Sequence, residues 1–153
     1  MLKKVKTRSG QKAGGRFAIV ASRYNARYVD AMLRAAQAEL KRAKAMVKVV
    51  RVPGAYEIPV VATRLARQSP AFDAIICLGV IFQGETAHAQ HVGDAVSRAL
   101  MQVQLQQEVP VIHCVQLFGN EAQAKVRCLG RTHNRGREAA QTALQMADVM
   151  RRL

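Results

Sequence analysis

Gly84-Glu85-Thr86-Ala87-His88 stands between an apolar run, Ile75 to Phe82, and a long amphipathic run from Ala89 to Glu108. A strand that passes through a glycine turn into a helix leaves unpaired N–H groups and the positive end of the helix dipole at the junction. Such an end holds phosphate or another anion. Thr86 adds a hydroxyl. His88 falls in the first helical turn, where the dipole favours a neutral imidazole that can accept a proton. The spacing is not that of a P-loop, because no Gly-Lys-Ser/Thr follows. A phosphate cradle beside a neutral base is a reaction site in outline.

Other residues admit both a chemical and a bland reading. Tyr24-Asn25 ends the first apolar run and is either a turn with a surface tyrosine or a ring that stacks on a planar ligand with an amide beside it. Ala55-Tyr56-Glu57 follows Pro53-Gly54; a helix start accounts for Glu57, which complements the dipole, and leaves Tyr56 unexplained. Arg127 and Arg135, taken alone, read as solvated basic residues. His88 and His91 are three apart and share a helix face. With His113 and His133 they suggest a metal site, but no cysteine or carboxylate completes a ligand spacing, and acid–base work by His88 is preferred.

These residues need a frame to hold them. Phe17–Ala21 and Val47–Val52 are short, apolar or β-branched runs, the second ending at Pro53-Gly54, and 74–80 reads as a buried strand. Pro110 opens a fourth run, 111–117. Between them helical spacing predicts helices over 30–43, 58–67, 89–108, 121–129 and 138–150. Alternation of this kind implies a parallel sheet with helices on both faces, joined by right-handed crossovers. Ligands of such sheets bind outside the carboxyl ends of the strands. The residues there are Arg23-Tyr24-Asn25, Pro53 to Glu57 and Gln83 to His88.

The composition allows one domain. Of 153 residues 50% are apolar and 22% charged, enough for a core and too little charge for disorder. No apolar run has the length of a membrane span, and no signal-peptide core opens the chain, so a cytoplasmic protein is expected. Cys77, Cys114 and Cys128 lack metal spacing and are read as reduced thiols. The net charge of +14 is uneven. Lys3, Lys4, Lys6, Arg8, Lys12 and Arg16 form a basic arm over 1–16, broken by glycines and expected to be mobile, with the domain proper over 17–153. Lys125, Arg127, Arg131, Arg135 and Arg137 form a second cluster with the character of a local anion site.

Three blocks, in this order and spacing, carry a family resemblance. They are Val52-Pro53-Gly54-Ala55-Tyr56-Glu57-Ile58-Pro59, Leu78-Gly79-Val80-Ile81 with Gly84-Glu85-Thr86-Ala87-His88, and Asn134-Arg135-Gly136-Arg137-Glu138-Ala139-Ala140. From about Phe17 to Arg151 the chain resembles the lumazine synthases of riboflavin biosynthesis. The resemblance implies a flavodoxin-like, three-layer α/β sandwich around a four-stranded parallel sheet. It implies a transferase that uses no cofactor or metal and condenses 5-amino-6-(D-ribitylamino)uracil with 3,4-dihydroxy-2-butanone 4-phosphate. By matching positions, Tyr24 stacks on the pyrimidine, and Asn25, Ala55, Tyr56 and Glu57 meet the ribityl chain and its surroundings. Backbone at Val80, Ile81 and Phe82 reads the pyrimidine edge. Glu85, Thr86 and Arg127 hold the phosphate, and His88 moves protons with Glu138 as its orienting partner. His113 and Arg135 complete the pyrimidine pocket. The resemblance further implies a homo-pentamer or a multiple of it, with sites between neighbours that supply the counterparts of His113, Arg127 and Arg135, and riboflavin synthase as a partner.

The chain also departs from the family pattern. His113 stands where phenylalanine or another apolar residue is usual, Gln83 where arginine is common, and Arg135 in place of a pocket lysine. Phe118-Gly119-Asn120 replaces a threonine-containing segment, and the arm lacks the apolar strand many relatives add to a neighbour's sheet. A pteridine- or flavin-binding relative with reduced catalysis is therefore a second reading. A nucleic-acid-binding protein driven by the basic arm is a third; aromatic residues at only 5% and the lack of a recognisable motif speak against it.

Overall fold

The computed structural model describes residues 14–153. Four parallel strands, β1 (Arg16–Ser22), β2 (Met46–Val52), β3 (Ala74–Phe82) and β4 (Val111–Phe118), lie in the order β2-β1-β3-β4. The central strands β1 and β3 must be apolar on both faces, because helices cover both. Phe17 to Ala21 and Ala74 to Leu78 are accordingly without exposure. Their side chains alternate between two cores. Phe17, Ile19, Ala21, Ile76 and Leu78 pack under α1 (Ala26–Arg42) and α5 (Arg135–Arg151). Ala18, Val20, Ile75 and Cys77 pack under α2 (Ile58–Ala66) and α3 (His88–Gln107). The result is the expected three-layer α/β sandwich.

Strand order reverses between β1 and β3: from β1 the chain goes first to β2 on one side and then to β3 on the other. Loops leave the sheet there in opposite directions and open a crevice at the carboxyl rim. The register joins Phe17 to Ala74 and Ala21 to Leu78, so β3 runs past β1 at that rim and carries Val80 to Phe82 beyond it.

Several boundaries differ from the sequence expectation for local reasons. α1 begins at Ala26, not 30, because Asn25 takes a left-handed backbone and starts the helix directly. α5 begins at Arg135, not 138. The buried Asn134 caps it, accepting from Gly136 and Arg137 N–H at 2.9 and 3.2 Å and donating to the Cys128 carbonyl at 2.8 Å. Such a cap is worth about 1 kcal/mol. The helix expected over 121–129 is two pieces, α4 (Glu121–Ala124) and a wide π-helical turn, Lys125–Leu129. Gly14, Gly15 and Arg16, assigned to the arm, belong to the fold. Gly14 N–H donates to the Ala43 carbonyl, the Gly15 carbonyl accepts from Met46, and Arg16 N–H donates to Asp73 at 2.7 Å. The rest of the arm lies outside the described residues. Among the described residues no helix is long and apolar enough to cross a membrane.

Candidate active site

Asn25 sits at the switch point. Its left-handed conformation, φ 59°, is one asparagine tolerates better than most residues. Its side-chain amide donates to the Val80 carbonyl at 2.7 Å, joining the loop after β1 to the end of β3. Val80 is buried and Ile81 half-buried. The Phe82 ring turns inward, edge-on to Tyr28 at 5.6 Å, so only its backbone is left for the rim.

The same loop is tied to β2. Arg23 N–H donates to the Val52 carbonyl at 2.8 Å and Tyr24 N–H to that of Pro53 at 3.0 Å. The Tyr24 ring thereby lies against Gly54, where a methyl group would stand only 2.8 Å from it. A glycine is what this approach requires. Glu57 closes on the same point, accepting from Gly54 N–H at 2.9 Å. Ala55–Glu57 is a single 3-10 turn with Ala55 buried and its two neighbours exposed. Tyr24 and Tyr56 stand 66% and 65% exposed. Two large rings left bare at the rim of a crevice are a surface prepared for a planar, partly apolar ligand.

Beyond the rim, Gln83 to Ala87 leads from β3 into α3. Gln83 N–H is anchored on the Phe118 carbonyl at 2.8 Å. The Gln83 side-chain amide closes the turn, donating to the carbonyls of Thr86 at 3.2 Å and Gly84 at 3.4 Å. His88 is the first residue of α3, with its N–H on the Thr86 hydroxyl at 3.4 Å. Ala87 offers no side-chain cap and the first turn holds no acid. Apart from that of His88, its first-turn N–H groups have no side-chain partner among the described residues and stay open to an anion, with Glu85, Thr86 and His88 all exposed around them.

The remaining residues named from the sequence lie on another part of the molecule. Arg127 rides on the π-helical turn, and Arg135 and Glu138 open α5, in the layer of α1, whereas His88 opens a helix of the opposite layer. Among the described residues no hydrogen bond joins Glu138 to His88. The Glu138 carboxylate accepts from Arg135 at 2.7 Å instead. A half-exposed pair of this kind is worth at most about 1 kcal/mol, so an incoming ligand can re-pair either partner at small cost.

His113 lies on the outer edge strand. Its Nδ1 accepts from Val115 N–H at 3.3 Å, and its Nε2 lies 2.7 Å from the Ser97 hydroxyl, which itself donates to the Gly93 carbonyl. Those partners suit a neutral ring with its proton on Nε2. Partial burial against α3 lowers its pKa below the ordinary histidine value, against a smaller opposing effect of its backbone hydrogen bond. Among the described residues no three histidine, cysteine or acidic side chains converge on a metal-sized point. The three cysteines are buried and unpaired; burial pushes the Cys114 thiol up to about 12 and Cys128 to about 11, which removes them as nucleophiles.

The roles of two residues escaped the sequence reading. Gln83 braces the anion turn through its side chain, and Asn134 sets where α5, and with it Arg135, begins. An asparagine before a helical run is a readable cap signal; the Gln83 brace has none.

The loop after β1 presents an exposed Tyr24, the turn after β2 an exposed Tyr56, and the turn after β3 the start of α3. The family model for 6,7-dimethyl-8-ribityllumazine synthase matches residues 14–151. The chain belongs to the lumazine synthase family. It is 43% identical over 138 residues to the 6,7-dimethyl-8-ribityllumazine synthase of Xanthomonas oryzae pv. oryzae (strain PXO99A), a match covering 88% of this chain and 89% of that protein. The protein of the same description from Stenotrophomonas maltophilia (strain R551-3) is 41% identical over 141 residues, 90% of each chain. That from Xanthomonas campestris pv. campestris (strain B100) is 42% identical over 138 residues. In this lumazine synthase family member the full span of both cores lies within the matched residues.

Proposed function

We propose that this enzyme condenses 5-amino-6-(D-ribitylamino)uracil with 3,4-dihydroxy-2-butanone 4-phosphate to give 6,7-dimethyl-8-ribityllumazine, phosphate and two molecules of water. Family membership makes it a transferase of riboflavin biosynthesis. The observation that carries the residue assignments is the continuous rim from the Tyr24 ring on Gly54, through the Asn25–Val80 bond, to the open N-terminus of α3 at His88.

On this reading the pyrimidine stacks on Tyr24, its edge meets the backbone at Val80, Ile81 and Phe82, and the ribityl chain runs past Asn25, Ala55, Tyr56 and Glu57. The phosphate of the second substrate rests on the first turn of α3 with Glu85 and Thr86. The aromatic amine attacks the ketone carbon, and loss of water leaves an imine. Loss of a carbon-bound proton then lets phosphate depart. The ribitylamino nitrogen closes the second ring on the new carbonyl with loss of another water. His88, at the phosphate end, takes and returns the protons. Holding two reactants in register supplies a large share of the rate without further catalytic groups.

Arg127, Arg135, Glu138 and His113 enter this chemistry from a neighbouring copy. They sit in a layer, or on an edge, from which their own chain's His88 is not approached, and they are exposed or half-exposed. We infer a closed homo-pentamer or a multiple of it, in the cytoplasm, with riboflavin synthase as the partner that consumes the product. Head-to-tail contacts of one type close into such a ring. The test is turnover of the two substrates together with mass in solution. Lumazine formation by a species of pentamer mass or larger is expected; an active monomer overturns the shared site, and absence of turnover overturns the reaction.

A further inference from the structure

The loop that presents Tyr24 and Asn25 is pinned on one flank by backbone, through Val52 and Pro53. The Asn25 amide on the Val80 carbonyl holds its other flank, and one side chain of β2 ties together the two elements from which the loop hangs. Arg51 stands opposite Ala21 in the β1–β2 register, one residue from the end of edge strand β2. Its Nε–H donates to the Ala21 carbonyl at 3.2 Å and its Nη2 to the Ser22 carbonyl at 3.0 Å. The same Nη2 lies 2.8 Å from Oδ1 of Asp30, on α1. That oxygen is sealed from solvent and has no hydrogen-bond partner aligned with it, so the guanidinium is its counter-charge. The Arg51 side chain is itself only 22% exposed.

One planar fork therefore collects the last two carbonyls of β1 and a carboxylate at the start of α1, the two elements between which Arg23, Tyr24 and Asn25 are strung. Those residues have no strand or helix of their own. Their geometry is the geometry of the two anchors. A guanidinium suits the task because its donors are fixed in one plane and remain charged; an ammonium is a single point charge that cannot span the same three oxygens in that geometry.

We propose that Arg51 is a positioning residue for the pyrimidine-stacking arm of the site, acting through the carbonyls of Ala21 and Ser22 and through Asp30 and touching no substrate. The proposal rests on the reading of Tyr24 as the stacking ring. It separates Arg51 from the anion turn at α3, which is built on β3 and shares none of these bonds. Loss of Arg51 thus weakens one substrate and spares the other.

Steady-state kinetics of the full chain tests this with Arg51→Met, Arg51→Lys and, as a control on the underlying reading, Tyr24→Ala. For Arg51→Met the KM for the ribitylaminouracil is expected to rise roughly tenfold, as for loss of charge-assisted hydrogen bonds that hold its platform. The KM for the butanone phosphate and the inhibition by inorganic phosphate stay within about twofold. Arg51→Lys keeps a charge for Asp30 but not the span, and the pyrimidine KM stays raised several-fold; it decides the matter if Arg51→Met does not fold. Parallel changes in both KM values, a lower Tm with both KM values intact, or full rescue by lysine overturns the proposal. An unchanged pyrimidine KM in Tyr24→Ala overturns the stacking reading itself. A raised KM in Tyr24→Ala with none in the Arg51 variants overturns this inference alone.

Discussion

The carboxyl rim of β1 to β3 and the flank formed by β4 and α5 are built on different principles. At the rim several candidates are tied to a neighbouring element: Asn25 to β3, Tyr24 to the Pro53 carbonyl and Gly54, Glu57 to Gly54, Gln83 to its own turn and to β4. On the flank such ties are fewer. Arg135 pairs with Glu138, His113 with Ser97, and Arg127 stands exposed on a wide turn. On the proposed reading the first region is finished inside one chain, and the second offers cations and a neutral ring to a neighbouring copy. A mono-molecular site would place its phosphate-binding guanidinium where the helix N-terminus already points. Here the helix end and Arg127 belong to opposite layers of one sandwich, and the proposed reading joins them through a second copy.

The largest break in the finished half is His88→Ala. It is expected to lower kcat roughly ten- to a thousandfold with folding intact, the low end reflecting the positioning that survives. Turnover at saturating substrates reads it, and an unchanged rate removes His88 from the chemistry. On the offered half, Arg127→Ala is expected to raise KM for the butanone phosphate about 10- to 100-fold, since a charge-assisted contact to phosphate is lost. Competition by inorganic phosphate should weaken in step; equal inhibition of both proteins sinks the assignment.

Mixing the two variants sharpens the comparison. In a randomly exchanged one-to-one ring about a quarter of the interfaces pair a native His88 with a native Arg127. Activity at sub-saturating phosphate ester should therefore climb toward about a quarter of the native value. No recovery despite demonstrated subunit exchange means the two regions do not share a site.

The smallest effect lies at His113. Its folded pKa is below the unfolded value, so the unfolded chain binds the proton more readily. Its contribution to stability is complete above the ordinary histidine pKa of about 6.5 and is lost as pH falls from there through the folded pKa. Protonation would put a proton on Nδ1, against the Val115 N–H it now accepts. Tm measured from pH 7.5 to 5 should fall by about 1–2 °C more in the native protein than in His113→Phe. Identical slopes dismiss the effect.

The alternation of apolar runs and helical spacing already implies the sandwich, because two-faced burial leaves its mark on every residue from Phe17 to Ala21 and from Ala74 to Leu78. Residue chemistry at the strand ends also names most of the rim in advance, since ligands of a parallel sheet gather there. What sequence patterns miss are the places where one side chain answers to distant backbone. Asn25 reads as a turn residue, and only the folded chain directs its amide to Val80, 55 positions away. Gln83 is marked in the sequence only by its place at the rim and Arg51 by nothing, yet one braces the turn before α3 and the other gathers oxygens from β1 and α1. The π-helical turn that carries Arg127 has no sequence signature of its own. Local pattern records burial and caps, which are properties of neighbours in the chain. The separation of His88 from Arg127 and Arg135 is a property of layers, and layers exist only once the sheet has separated α3 from α5.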